Sequence, residues 1–282
     1  MFLAPWLLGL VGLTMGPTLI SLYLSFTRFD LFQPPNWVGL DNYRQIATDD
    51  PNFIASMRVT FLFVLTAVPL KLAFALALAM ALNRGIRALP VYRAIFYLPS
   101  LLGSSIAVAI LWRQLFAGDG LVNQVLANFG IAGPSWISDP RYSLWSLVLL
   151  SAWQFGSPMV IFLAGLRQIP TDLYEAASID GATNMRKFIS ITLPLLTPVV
   201  FFNLIVAMID AFQSFTPAFV VSKGTGGPLN STLFYALYIY REAFSFFHMG
   251  YAAALAWMLL LIIAIFTAIS FLTSRFWVYY DA

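Results

Sequence analysis

The chain has 282 residues, of which 60% are hydrophobic, 16% aromatic and 10% charged, with a formal net charge of +3. Soluble domains carry about 25% charged residues, so these charges are too few to cover a water-facing surface, and the mean hydropathy of +0.83 agrees. There is no cysteine and one histidine, His248, which excludes disulfides, thiol catalysis and a histidine metal cluster; the small positive balance gives no argument for nucleic acid.

Six apolar segments approach the roughly 20 residues that cross a bilayer as a helix: 2–26, 59–82, 94–117, 142–166, 196–221 and 248–274. Strands of a barrel would alternate polar and apolar residues instead. The sequence therefore reads as an all-α polytopic membrane protein with six transmembrane helices, residues 1–282 forming one transmembrane domain. No cleavable leader is read at the start, which is apolar from its second residue and has no basic n-region. It is taken as the first span, ahead of which a basic tail is expected in the natural protein.

The connections differ in character. Segment 27–58 is long, aromatic and acidic, with Asp30, Asp41, Asp49 and Asp50. Segment 83–93 is short and basic, carrying Arg84, Arg87 and Arg93. Six crossings put both termini on one side, but the basic residues divide evenly between the two faces, so the positive-inside rule favours a cytoplasmic assignment of the 83–93 and 167–195 loops only through their shortness.

Segment 167–195 is polar between two apolar runs. Thr171 can cap a helix start, with Asp172 and Glu175 near its positive end. Leu173, Ala176 and Ala177 share a face, and Gly181 stands where a left-handed residue ends a helix cheaply. A second helix is expected from Thr183, with Phe188, Ile191 and Leu195 on one side, before Pro194 and Pro198 bend the chain into the next span. The result is a helix–turn–helix outside the membrane, able to fit a partner's groove or to lie on the lipid surface as an amphipathic loop.

Glu175-Ala176-Ala177, Asp180-Gly181, then Ile191 and Leu193-Pro194 resemble the EAA loop of binding-protein-dependent ABC importer permeases. The resemblance implies a type I importer permease fold, a cytoplasmic coupling helix at 167–195 docked on an ATPase subunit, and both termini inside. The 35–43 stretch, PNWVGLDNY, is similar to the outer loop of carbohydrate permeases, and Arg93-Ala94-Ile95-Phe96-Tyr97-Leu98-Pro99 to their second cytoplasmic turn. Gly226-Gly227-Pro228, with Thr232 and the 240–254 stretch, resembles the GGP-loop subunit of maltose and glycerol-phosphate importers; Ser222-Lys223-Gly224-Thr225 departs from the tighter threonine–glycine run of those relatives. The partners so implied are a second permease subunit in a heterodimer, two ATP-binding subunits, an extracytoplasmic solute-binding protein, a sugar and the bilayer of a bacterial or archaeal cytoplasmic membrane. No cofactor is expected in this chain, since ATP and magnesium would belong to the partner ATPase.

Asp210 and Lys71 are the ionisable residues well inside predicted spans, where charge is costly and usually faces a bundle interior. Asp210, Gln213 and Ser214 lie at i, i+3 and i+4, on one helical face, with Asn203 two turns earlier. Carboxylate and amide groups match the donor–acceptor character of sugar hydroxyls, so these residues are candidates for a substrate path; Asp210 pairing structurally with Lys71 is the alternative. Trp153 and Gln154, beside Gly156-Ser157-Pro158, are further candidates through stacking and hydrogen bonding, against a plain packing role. Lys71 could instead extend toward headgroups, and His248 reads as an interfacial residue. The sequence has no GxxxxGK[ST] phosphate loop and no plausible triad, so no enzyme is expected. A lipid-modifying transferase would need more clustered surface charges than these scattered ones, while an importer of a non-sugar solute stays open.

Overall fold

The computed structural model describes residues 3–83, 89–103 and 105–279, so Arg84 and Arg87 of the basic loop lie outside the described residues. Among the described residues, fifteen α-helices follow in order: α1 (Ala4–Gly9), α2 (Gly16–Ser25), α3 (Asp41–Thr48), α4 (Pro51–Leu82), α5 (Leu89–Leu102), α6 (Ile106–Leu115), α7 (Leu121–Asn128), α8 (Ser143–Trp153), α9 (Gly156–Leu166), α10 (Thr171–Ile179), α11 (Asn184–Lys187), α12 (Leu193–Phe212), α13 (Thr216–Ser222), α14 (Tyr235–Tyr240) and α15 (Met249–Ser274). A two-residue antiparallel ladder, β1 (Thr27–Arg28) with β2 (Asn36–Trp37), forms in the connection after the first helical stretch, a small departure from the all-helical expectation.

Among the described residues, four helical stretches are long and apolar enough to cross a bilayer: Ala4–Ser25, Pro51–Leu82, Asn184–Ser222 and Met249–Ser274. The bent pairs α5/α6 and α8/α9, turning by 95° and 42°, would raise the number to six if each crosses once. Short π-helical turns at Leu10–Met15 and Phe188–Thr192 keep the first and third stretches continuous. The expected span 59–82 in fact begins at Pro51. The Asp50 carboxylate caps that end, accepting from the N–H groups of Asn52 and Phe53 at 2.9 and 3.0 Å, and Pro51 at the first helical position costs no hydrogen bond.

Helix α4 is the centre of the bundle, in contact with α8, α9, α12 and α14. Ala67, Ala75 and Ala79 on α4 are fully buried, with Phe162 and Leu163 of α9, Leu196 and Phe212 of α12 and Tyr235 of α14. Small residues at such positions let helix backbones approach, which favours association where lipid removes the hydrophobic drive. The first stretch is peripheral and leans on α15 through α2.

A polar cavity and an outlying helix pair

The break between α8 and α9 leaves backbone groups without helical partners, and apolar surroundings would make that expensive. Ser100 of α5 answers both sides of it. Its hydroxyl donates to the Gln154 carbonyl at 3.0 Å and accepts from the Ser157 N–H at 3.0 Å. The Gln154 side chain in turn donates from Nε2 to the Gly103 carbonyl at 3.0 Å. Gly156 permits this junction, because a Cβ there would lie 2.7 Å from the Tyr97 Cα.

Beside the break lies a cavity of about 530 Å³, lined in part by Lys71 of α4, Gln154, and Asn203 and Asp210 of α12. Gln213, Ser214 and Thr216 complete its polar wall, with Phe63, Leu147 and Phe234 among its apolar parts. This volume falls in the ~300–1,000 Å³ range of small-molecule sites, where a few polar groups on an apolar wall set orientation. Asn203 is 4% exposed and its Nδ2 is buried without a partner. Lys71 and Asp210 share the cavity, yet among the described residues the ion pairs within 4.0 Å are Arg141–Asp139 and His248–Glu242. Asp210 is therefore not held by a direct ion pair with Lys71.

The sequence-predicted residues Asp210, Gln213, Ser214 and Gln154 thus meet in one cavity. The single-helix-face argument for three of them needs correction: α12 ends at Phe212, Gln213 is its C-cap, and Ser214 lies beyond it. Pro217 has no N–H to return to the Gln213 carbonyl, so the helix breaks there, and the tight last turn still points the three residues to one space. Trp153 does not line the cavity; it faces α6, its ring 6.3 Å from that of Trp112. Ser100 is the residue the sequence reading missed, and Lys71, weighed there as a structural partner of Asp210 or a residue reaching toward headgroups, lines the cavity as well. Lys71 carried a usable signal, an intramembrane charge, whereas Ser100 shows its role only once α5 meets the break.

The EAA-like segment sits apart from the cavity. Helix α10 ends in a left-handed turn at Gly181, with φ of +73°. The Ala182 N–H donates to the Ala177 carbonyl at 2.9 Å and the Gly181 N–H to the Ser178 carbonyl at 3.1 Å, the two bonds of a Schellman cap. Thr183 caps α11, its hydroxyl accepting from the Arg186 N–H at 3.3 Å. Thr171 does not cap α10: it is the first helical residue, and the N-cap position is Pro170, which has no side-chain acceptor. The expected bend at Pro194 and Pro198 is also absent as a break, since Pro194 sits in the first turn of α12, where a missing N–H is harmless, and the stretch runs on to Ser222.

Tyr174 and Thr192 share a hydrogen bond of 2.8 Å, and Lys187 donates to the Ser178 hydroxyl at 2.5 Å. These contacts pin α10 against α11 and the start of α12, bringing Glu175, Ala176, Ala177, Asp180 and Gly181 into one unit with Ile191, Leu193 and Pro194. Ile191 packs against the core, while Glu175, Ala176 and Asp180 are exposed. Ile179 is 88% exposed and Met185 66%. An apolar surface of this kind on a polar loop fits a partner better than water.

Residues 59–278 match the family described as binding-protein-dependent transport system inner membrane component. The chain belongs to that family. The permease is 50% identical, over 100% of its own length and 91% of the relative's, to a probable ABC transporter permease protein, YesP, of Bacillus subtilis (strain 168). It is 33% identical to the lactose transport system permease protein LacF of Rhizobium radiobacter, over 98% of this chain and 93% of that one. Its fold matches a crystal structure of a bacterial ABC transporter involved in import of the acidic polysaccharide alginate, with a TM-score of 0.82 and 21% identity, covering 98% of this chain and 93% of that one. It is a permease of an ABC importer with sugar-transporting relatives, a membrane subunit and not an enzyme.

Proposed function

We propose that this permease is one of two membrane subunits, in a heterodimer, of an importer for a sugar or sugar derivative. The observation that carries the substrate reading is the 530 Å³ cavity, where Lys71, Gln154, Asn203, Asp210 and Gln213 offer donors and acceptors inside an apolar bundle. Sugar hydroxyls both donate and accept, and a mixed set of amide, carboxylate and ammonium groups satisfies both roles. The sugar-transporting relatives support the same class.

On this reading the whole chain is a single permease domain crossing the membrane six times, with both termini cytoplasmic. An extracytoplasmic binding protein delivers the solute to the outer loops. The α10–α11 unit is the coupling helix, and its exposed Glu175, Ala176, Asp180 and Ile179 enter a cleft on an ATP-binding subunit. ATP and magnesium act on that subunit, and its closure moves the coupling unit as a lever fixed to α12 by Tyr174 and Thr192. The cavity then changes the side to which it opens.

The test is reconstitution of the permease with its second membrane subunit, the ATPase pair and the binding protein in liposomes. ATP hydrolysis should be stimulated by at least one member of a panel of mono- and oligosaccharides presented with the binding protein. Stimulation by amino acids or ions and by no sugar would overturn the substrate class.

A further inference from the structure

A second pocket, of about 350 Å³, lies next to the cavity and is lined by Arg93, Ala94, Tyr97, Ser157, Val160 and Ile161. Ser157 and Ile161 also line the first cavity, so the two spaces adjoin. Their lining residues step in register along two helices in contact. On α5 the first cavity takes Ser100 and Gly103 and the second takes Arg93 and Tyr97, one to two turns earlier. On α9 and the break before it, the sequence runs from Gln154 through Ser157 to Val160. The first shift runs toward the start of α5 and the second along α9 toward the α10–α11 unit.

Arg93 gives this pocket its chemistry. It is half-buried, and its Nε is buried without a partner. Among the described residues its guanidinium joins neither of the two ion pairs. A guanidinium whose Nε is buried without a partner, in a pocket lined mainly by apolar side chains, favours an oxygen-rich partner. Tyr97 adds an aromatic face and Ser157 an exposed hydroxyl, so the pocket combines stacking with hydrogen bonding.

We propose that Arg93, Tyr97 and Ser157 form a second subsite on the translocation path, which receives the oxygens of a polyhydroxylated solute as it leaves the Asp210 cavity toward the coupling-unit side. This deepens the sugar-importer reading and rests on it. Arg93 would act by offering N–H groups to sugar hydroxyl or carboxylate oxygens, and Tyr97 by stacking on the ring.

The absence of cysteine from the sequence makes a labelling test direct, in the full importer complex with cysteine-free partners. Ala94→Cys and, as a control outside the pocket, Ile95→Cys are exposed to the anionic thiol reagent MTSES and the cationic MTSET, in nucleotide-free and vanadate-trapped complexes. A path subsite predicts that Ala94→Cys reacts with MTSES many-fold faster than Ile95→Cys, and that trapping changes that rate several-fold. It also predicts that adding Arg93→Gln lowers the MTSES-to-MTSET rate ratio several-fold. No reaction at Ala94→Cys, a rate indifferent to nucleotide state, or a ratio unmoved by Arg93→Gln would each overturn the proposal. Protection in phosphatidylglycerol but not in phosphatidylcholine liposomes would assign the pocket to a lipid headgroup and overturn it equally. None of these readouts depends on which solute is carried, so a complex that transports no sugar but shows the full labelling pattern sinks the substrate class and leaves the path subsite standing.

Discussion

Tyr238 donates a hydrogen bond of 2.6 Å to the Asp50 carboxylate across 188 residues of sequence, and Tyr251 donates to the same oxygen at 2.5 Å. The other Asp50 oxygen caps α4, so one carboxylate, 8% exposed, ties the start of α4 to α14 and α15. The latch holds the GGP-containing loop region onto the bundle at the end opposite the coupling unit.

Removing Tyr238's hydroxyl deprives a buried carboxylate of a charge-assisted bond, worth about 1.5–3 kcal/mol. Asp50→Ala loses both tyrosine bonds and the cap, the cap alone contributing about 1 kcal/mol. Thermal unfolding in detergent should therefore rank wild type above Tyr238→Phe above Asp50→Ala. Burial first, then the bond to Asp50, pushes the Tyr238 phenol up from its usual range. An unfolded tyrosine ionises near about 10, so this contribution is complete below that pH and declines as pH rises through it toward the raised native value. Unfolding temperature should fall above about pH 10, less steeply in Tyr238→Phe; parallel slopes would remove Tyr238 from this account.

Gly181→Ala and Gly181→Leu separate backbone strain from contact. A Cβ at Gly181 would meet nothing within 4 Å in this chain, but φ is +73°. Alanine should cost only the left-handed penalty, roughly 1–2 kcal/mol, and leave partial transport. Leucine adds bulk on the surface proposed to enter the ATPase cleft, and should abolish transport while the protein still inserts. Transport by Gly181→Leu at the wild-type rate in a normally assembled complex would refute the docking surface.

Gly156→Ala tests the contact of α5 with α9. The added carbon would meet backbone at Phe96 and Tyr97, which cannot swing aside as a side-chain tip can. Overpacking of this kind costs about 1–3 kcal/mol, and the Ser100 bonds across the break would lengthen. Purified Gly156→Ala should unfold at a lower temperature than wild type, with uptake reduced; an unchanged melting profile would show that α5 shifts freely.

Topology can be read by single cysteines. Asn42 looks suitable from sequence, but it is 8% exposed and its Nδ2 donates to the Ser25 and Thr27 carbonyls at 2.8 and 2.9 Å. Leu40, 68% exposed, and Met185, 66% exposed, are better positions. Leu40→Cys should react with an impermeant reagent in intact cells and Met185→Cys only in inverted vesicles. The reverse pattern would invert the proposed orientation.

Long apolar runs made the long helices legible, since α15 and the first helical stretch follow them within two or three residues. The α10 cap was legible because glycine has a distinct conformational role at Gly181. What escaped the sequence depended on contacts between distant segments. The Asp50 latch needs α14 and α15 beside α4, and Ser100 finds its task only where α5 crosses the α8–α9 break. Trp153 read as a stacking residue because an aromatic face beside a helix-breaking Gly156-Ser157-Pro158 can cover a sugar ring, yet the helix break turns it and Gln154 to different sides. The spacing of Asp210, Gln213 and Ser214 led to the right space through a helix that stops at Phe212.

The cavity itself makes the sharpest prediction about transport. A lipid-facing Asp210 would be penalised by roughly 2.5–3.5 kcal/mol on insertion scales, and the fold instead turns it, with Gln213, into a space shared with Lys71. Gln213 has no side-chain hydrogen bond among the described residues, so its amide is free for a solute. Gln213→Ala would leave a sugar hydroxyl unpaired at a cost of about 1–3 kcal/mol, a five- to hundred-fold weakening of uptake. Asp210→Asn keeps the shape and an acceptor but removes the charge, and should cost less than Asp210→Ala. None of these changes touches the coupling unit, so ATP hydrolysis in the absence of solute should persist. Concentration-dependent uptake, matched for complex in the membrane, decides the matter. Identical curves for wild type and Gln213→Ala would make this part of the cavity structural and shift the substrate contacts toward Gln154 and Ser157, which also line it.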